Sequence, residues 1–274
     1  MAEKPIESTV ETVESDITGA TPDQQSIMQR PDYTPAPLGG MSGSAVDQVN
    51  YRLPRLKIAY GVGGLAVHFN QGDLVLNVGG KNGDFHLLAP KGQALNVIFL
   101  SVDSYWKQFL PKEAWDAGER PKEFRTTAEV EAAGGTWEMP PYGSGRPLPS
   151  YGGAAHIKLF IEKPKETVCG LFGVEAAGNL YAPAIWSIDK GGYRSVMPVL
   201  KNDLGFALSK RGLLGGTYSI VTSVTVDTKS NRTKVLPNIK LVRHHSDEVV
   251  AELKKLLRDI SFDVADEDSE PVPF

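Results

Sequence analysis

Apolar and polar residues alternate in short stretches through the middle of the chain, beginning near Tyr51. Such alternation is typical of β-strands with one buried face, and Gly-rich turns separate the stretches. Short strands joined by tight turns favour a meander or a small barrel over alternating strands and helices. In the first half of the chain, the pattern predicts strands at 52–60, 65–69, 73–78, 85–88 and 94–102.

The pattern changes at 104–150, where aromatic residues, an Ala/Glu-rich stretch and a Pro/Gly-rich run replace the alternation. This composition predicts an insertion of helices and loops in the strand-forming body. Beyond the insertion, apolar and β-branched residues are again typical of strands. The second half is therefore predicted to contain strands at 156–161, 182–188, 196–200 and 216–227.

Residues 246–260 have the clearest helical pattern. Ser246 is a good N-cap, and Glu248 and Glu252 lie near the start of the segment. The apolar residues recur at helical spacing and form one face: Val249, Val250, Leu253, Leu256 and Leu257. We expect this helix to pack on the body and to end the folded domain, which is predicted to span 51–260.

The two ends of the chain differ from the body. Residues 1–50 are rich in Ser, Thr, Pro, Gly and acidic side chains, and they lack a sustained apolar period. Segments of this kind bury too little apolar surface to offset the entropy of an ordered chain. We therefore expect a disordered acidic arm at 1–50 and a disordered acidic tail at 261–274.

Charge is distributed unevenly along the chain, although the net charge is only −4. Residues 1–50 carry a net charge of −6, residues 259–274 another −6, and the segment between them +8. A basic body between two acidic arms favours an anionic ligand for the body.

No motif for catalysis, metal binding or a cofactor stands out. Residues 61–66 place glycines after a predicted strand, but an extended-looking segment follows where a dinucleotide loop needs a helix. The five histidines are scattered, and the single cysteine, Cys169, has no ligand at metal-binding spacing. Acidic residues in the body are sparse and form no spaced pair for general acid and base catalysis. We therefore expect a non-enzymatic protein with no metal and no cofactor.

The amino terminus lacks the basic and apolar regions of a signal peptide. No stretch approaches the roughly 18 uninterrupted apolar residues of a membrane span. We therefore expect a cytoplasmic protein with no membrane partner.

The C-terminal peptide places a dense acidic run directly before an apolar residue, Pro and a terminal Phe. An aromatic ring of this kind fills an apolar pocket on a partner, and the acidic side chains lie along a basic rim. The order resembles the tails of bacterial and bacteriophage single-stranded DNA-binding proteins, with Ser269 and Pro271 as departures. The matching residues are Asp266, Glu267, Asp268, Glu270, Val272, Pro273 and Phe274.

The resemblance implies that the tail docks on replication and repair proteins. It also extends loosely to the body, whose Gly-separated strands resemble the oligonucleotide-binding (OB) barrel of the phage members. The expected fold is therefore mainly β within the α+β class. It is an elaborated OB-like barrel with the helical and loop insertion at 104–150 and a C-terminal helix.

A single-strand groove needs basic side chains for phosphates and aromatic faces on which bases stack. Core packing is the alternative role for each aromatic residue, and a solvated surface charge is the alternative for each basic one. Tyr193 beside Arg194, in a predicted Gly-flanked loop, is the strongest pair. The basic candidates are Arg52, Arg55, Lys57, Lys81, Lys158, Lys190 and Arg194. The aromatic candidates are Tyr60, Trp106, Tyr142, Tyr151, Trp186 and Tyr193.

Together these features predict a phage-encoded protein that coats single-stranded DNA during replication or recombination in the host cytoplasm. Self-association is a further interaction that the sequence leaves open. A phage structural or assembly protein is an alternative, because a Gly-rich β body with a disordered arm suits that role equally. An enzyme that processes nucleic acid is a less favoured alternative.

Overall fold

The computed structural model describes residues 53–61, 63–78, 84–140, 144–145, 147–165, 167, 170–227 and 232–259. The predicted arm at 1–50 and the predicted tail at 261–274 lie outside these residues.

The described residues form ten strands in one sheet, together with four α-helices, and the predicted mainly β, α+β class is confirmed. The strands are β1 (Arg55–Ile58), β2 (Leu74–Val78), β3 (Asp84–Ala89), β4 (Leu95–Gln108), β5 (Glu123–Phe124), β6 (Tyr151–Glu162), β7 (Val174–Ala176), β8 (Asn179–Asp189), β9 (Gly216–Asp227) and β10 (Arg232–His244). The helices are α1 (Lys112–Asp116), α2 (Thr127–Ala132), α3 (Lys190–Gly205) and α4 (Asp247–Asp259).

The sheet is mixed and curls into a half-barrel. Its strand order is β10-β9-β4-β6-β8-β1-β2-β3, with β5 added to β4 and β7 added to β8. Every pairing is antiparallel except that between β1 and β8. The parallel pairing is also short, because only Arg55 and Leu56 of β1 lie in register with β8.

One face of the sheet, here called the inner face, carries the larger apolar core. Alternate residues of β6 (Ile157, Leu159 and Ile161) point to this face and are fully buried. Helix α3 packs there through Val196, Met197 and Leu200. The alternating pattern that predicted the strands therefore marks the side chains that enclose α3.

The opposite, outer face carries a second core near one end of β4, β6 and β8. Ile98, Phe160 and Tyr181 lie under the apolar face of α4, which contributes Val250 and Leu253. The helix predicted at 246–260 is thus confirmed as Asp247–Asp259, and it packs on the body as expected.

Several strand predictions are also confirmed. The segments 73–78, 85–88, 182–188 and 216–227 coincide with β2, β3, β8 and β9 within a few residues. Strand β4 begins where predicted but continues to Gln108, so the first residues of the predicted insertion at 104–150 are strand. The rest of that segment contains α1, β5 and α2, of which β5 pairs with β4.

Two strand predictions are wrong. Residues 196–200 belong to α3, because Val196, Met197 and Leu200 share one helical face against the inner core, and this burial overrides their β propensity. Residues 65–69 overlap a 3-10 helix (Gly64–Val67). The carbonyl of Leu65 accepts hydrogen bonds from the amides of His68 and Phe69. Strand β10, which pairs with β9 along its length, was not predicted.

Among the described residues, no helix combines the length and the apolar character needed to cross a membrane.

A buried histidine joins the start of α4 to the sheet. His245 Nδ1 lies 2.7 Å from the carbonyl oxygen of Leu214, and Nε2 lies 2.8 Å from Oγ1 of Thr217. A neutral ring satisfies both contacts when Nδ1 donates to the carbonyl and Nε2 accepts from the hydroxyl. Burial lowers the pKa of His245 from its ordinary value of 6.5.

The lowered pKa of His245 predicts a loss of stability in acid. Because the folded-state pKa lies below the unfolded value, the neutral ring stabilises the fold above pH 6.5. This contribution is lost as the pH falls through the folded-state pKa. His245→Gln should therefore reduce the difference in unfolding free energy between about pH 7.5 and about pH 5.5, measured by urea denaturation. The control His244→Gln, at the exposed neighbour, removes only one lesser charge effect on His245 and should therefore reduce that difference much less; equal effects of the two substitutions would contradict the assignment.

Candidate nucleic-acid interface

Helix α4 covers only one end of the outer sheet face. Toward the other ends of β4, β6 and β8, most side chains that point away from the inner core are polar or charged. The edge strand β1 contributes to the same surface. We call this surface the outer polar face; it comprises Arg55, Lys57, Asp103, Tyr105, Lys107, His156, Lys158, Ser187 and Asp189.

Strand register places these side chains in rows across the sheet. Arg55, Ile185 and Lys158 are cross-strand neighbours on β1, β8 and β6, so two cations flank one apolar residue. The next row holds Ser187, which is opposite His156, and His156 is opposite Asp103. Since neighbouring strands lie roughly 4.8 Å apart, each row is a band of adjacent polar groups.

Ion pairs neutralise part of the charge on this face. Lys107 Nζ lies 3.4 Å from Oδ2 of Asp189, and the Arg125 guanidinium pairs with the Asp103 carboxylate. With Arg55, Lys57 and Lys158, the described residues on and around this face supply five cations, against three carboxylates, those of Asp103, Glu123 and Asp189. The outer polar face therefore has an excess of positive charge.

Lys57 is held against apolar surface. Its Nζ lies 5.9 Å from the centroid of the Phe85 ring. Burial lowers the pKa of Lys57, and the nearby charge of Arg55 lowers it further. An anion bound between these two side chains would relieve their mutual repulsion.

His156 lies at the centre of the face. Its ring is 4.8 Å from that of Tyr105, centroid to centroid, and its Nδ1 is 2.9 Å from Oγ of Ser187. Burial lowers the pKa of His156, and the surrounding cations, Arg55 foremost, lower it further, although Asp103 opposes them. Burial also raises the pKa of the Tyr105 hydroxyl well above its ordinary value of 10.0. Both rings are therefore uncharged at neutral pH, and the buried Tyr105 ring packs against His156.

The structure brings four of the predicted site residues together. Arg55, Lys57 and Lys158 share the outer polar face, and Tyr60 lies at its rim with half of its surface exposed. Three other predicted residues lie outside the described residues: Arg52, Lys81 and Tyr142.

A second group of predicted residues lies elsewhere, at the start of α3. Lys190, Tyr193 and Arg194 are helical, which corrects the predicted Gly-flanked loop. The Tyr193 ring is half-buried and packs over Gly153, where an added Cβ would lie 2.5 Å from the ring. Lys190 Nζ lies over the Phe109 ring at 5.4 Å from its centroid. These contacts give Tyr193 and Lys190 packing roles at the start of α3.

The burial of two aromatic residues contradicts the prediction that they stack on bases. Trp186 is 1% exposed and belongs to the inner core, and Tyr151 is 4% exposed and packs against Phe124. Neither ring has a face open to a base in this structure. Trp106 is half-buried, with its ring centroid 6.3 Å from that of Trp137.

Sequence reasoning missed Tyr105, Lys107, His156 and Ser187. The signal for His156 was present, because it alternates with the apolar residues Ile157 and Leu159 exactly as Lys158 does. Tyr105 and Lys107 were missed because β4 was predicted to end at 102. Their positions on the outer face follow only from the full length of β4.

A pocket of about 260 Å³ opens between β1 and β8, beside the outer polar face. Its polar lining comes from Arg55, Lys57, Tyr60 and Ser187, and its apolar lining includes Leu65. In the described residues, no group of three or more His, Cys, Asp or Glu side chains is arranged to hold a metal ion. The pocket lining therefore combines positive charge with apolar and aromatic surface.

Comparisons with protein-family models, with curated proteins and with solved structures found no match to this chain.

The charges of the outer polar face predict that a substitution at Arg55 will shift the pKa of His156 measurably. Arg55→Gln should raise the pKa of His156, because it removes the largest charge effect that opposes protonation. The titration of the His156 ring, followed by NMR, measures this shift. Arg194→Gln, at an exposed cation of α3, is the matched control and should leave the titration unchanged. A His156 titration that is the same in all three proteins would show that Arg55 does not act on this ring.

Proposed function

We propose that this protein binds single-stranded DNA without catalysing a reaction on it. The observation that carries the proposal is the grouping of Arg55, Lys57 and Lys158 on one outer sheet face, with the exposed ring of Tyr60 at its rim. Cations that follow a backbone, combined with aromatic surface for bases, are the general requirements of single-strand binding.

The shape of the sheet supports the same proposal. A curled β sheet presents a continuous surface on which an extended strand can lie across several β-strands. We relate this half-barrel to an elaborated OB-like barrel, in which α3 fills the inner side and the outer side receives the nucleic acid. The covered apolar end under α4 then borders the binding surface.

The C-terminal peptide supplies the proposed partner contact. Its acidic run and terminal Phe274 suit docking into an apolar pocket with a basic rim on replication or repair proteins. Coating of single strands during phage replication or recombination, in the host cytoplasm, is the process that combines both activities.

Titration of the full-length protein with single- and double-stranded oligonucleotides, across a salt series, tests the central proposal. We expect tighter binding to the single strand, because its bases are accessible to stacking. If three phosphates are neutralised by Arg55, Lys57 and Lys158, the logarithm of the association constant should fall against the logarithm of salt with a slope of about −2. Equal affinity for both forms of DNA would overturn the proposal.

Replacing two of the central cations sharpens this test. The double variant Lys57→Gln, Lys158→Gln should bind a single strand more weakly and reduce the salt slope by about 1.4, because two phosphate contacts are lost. The matched control is Lys201→Gln, Lys240→Gln, which removes two exposed lysines from α3 and β10. If control and test variants lose affinity equally, the DNA contacts lie outside the outer polar face.

Deletion of 262–274 should strengthen DNA binding at low salt. The acidic tail competes with DNA for a basic surface in this proposal, and screening weakens that competition as salt rises. Phe274→Ala keeps every acidic side chain and should therefore bind DNA as the full chain does. Fluorescence titration at two salt concentrations measures both effects. Unchanged affinity after the deletion would show that the tail does not occupy the DNA surface.

A further inference from the structure

The pocket between β1 and β8 exists because two neighbouring strands separate. Their parallel pairing ends at Leu56 and Trp186, although β1 continues to Ile58 and β8 continues to Asp189. Beyond Trp186, this edge of β8 has no ladder partner among the described strands. Backbone donors and acceptors therefore line one wall of the gap, where they can form hydrogen bonds with a ligand.

The walls of the pocket combine two chemistries. Leu65 contributes apolar surface to its lining, and Arg55 and Lys57 contribute positive charge. The Tyr60 ring and the Ser187 hydroxyl add an aromatic face and a hydrogen-bonding group. An inorganic anion would leave the apolar and aromatic lining unused, and an uncharged aliphatic molecule would make no use of the positive charge.

Size narrows the choice of ligand further. Pockets for drug-sized ligands occupy roughly 300–1,000 Å³, and this one has about 260 Å³. The space suits a single planar ring system better than a dinucleotide or a larger cofactor. A nucleobase whose own phosphate remains outside, beside Arg55 and Lys57, meets both the size and the chemistry.

We propose that this pocket binds one unstacked base of single-stranded DNA, with the adjoining phosphates held by Arg55 and Lys57. The inference rests on the proposed function and assigns a base-binding subsite to the same surface. In this arrangement the open edge of β8 and the Ser187 hydroxyl face the hydrogen-bonding edge of the base. His156, which contacts Ser187 Oγ at 2.9 Å, is a positioning residue for that hydroxyl.

The subsite gives a physical basis for discrimination against duplex DNA. Bases within a duplex are paired and stacked, so entry into the pocket would require one base to be extruded at an energetic cost. The energetic cost is lower for a single strand, because its bases are not paired. The cations of the outer polar face would attract both forms of DNA, whereas the pocket favours only the single strand.

Mononucleotide binding tests the subsite directly. dAMP and 2-deoxyribose 5-phosphate carry the same phosphate, but only dAMP carries a base. We expect dAMP to bind the full-length protein at least about tenfold more tightly, in line with the gain from stacking one base. NMR titration measures both affinities and shows whether the residues that line the pocket respond. Equal affinities would overturn the inference.

A substitution that fills the pocket tests whether the preference for dAMP depends on this pocket. Ser187→Phe should remove the preference for dAMP, because the new ring occupies the space for the base. Ser101→Phe is the matched control, since Ser101 is exposed on the same sheet face, opposite Lys158 and away from the pocket. If Ser187→Phe disturbs folding, Leu65→Trp fills the pocket from the 3-10 helix at its side. Retention of the preference in a folded, pocket-filled variant would overturn the inference.

Oligonucleotides separate this inference from the proposed function. A single strand with bases and an abasic strand of equal length should differ in affinity for the unsubstituted protein and for Ser101→Phe, but much less for Ser187→Phe. If the unsubstituted protein binds both strands equally, the base subsite is wrong while DNA binding stands. If it binds neither strand, the proposed function fails, and the comparison of dAMP with the sugar phosphate decides the subsite independently.

Discussion

The packing of α3 against the inner face of the sheet is the constraint on which the rest of the structure depends. Strand β6 pairs along its length with β4 and β8, and every second side chain must be apolar to enclose the helix. A shift of one residue in this register would bury Lys158 and His156 and expose the residues between them. The inner core therefore also fixes which side chains reach the outer face.

The outer face has two parts, which differ in whether their side chains are apolar enough to be buried. At one end, Ile98, Phe160 and Tyr181 are apolar and accept α4 as a cover. At the other end, charged residues occupy the corresponding positions, and covering them with an apolar helix would carry a large desolvation cost. The division leaves a polar surface beside a rigid, fully packed core, and a rigid support of this kind suits a binding surface.

The strand pairing between β1 and β8 introduces a local irregularity beside the outer polar face. A two-residue parallel ladder joins β1–β3 to the rest of the sheet, and the strands separate immediately after it. The pocket at this gap is lined by Leu65, the Tyr60 ring and the two cations Arg55 and Lys57, among other residues. A longer ladder would close the gap and leave only a flat charged surface.

The amino-acid sequence alone determined the features that depend on local periodicity. These were the mainly β class, β9 with its correct bounds and α4 with its apolar face. Only the tertiary structure decided that 196–200 is helical, that Trp186 is buried, and that Lys158 lies near Arg55 while Lys190 does not. The physical reason is that pairing between β1, β6 and β8 joins residues about 20 to 130 positions apart. The local pattern shows which side chains of one strand lie on the same face. Only the assembled sheet shows which face is buried and which residues of other strands share it.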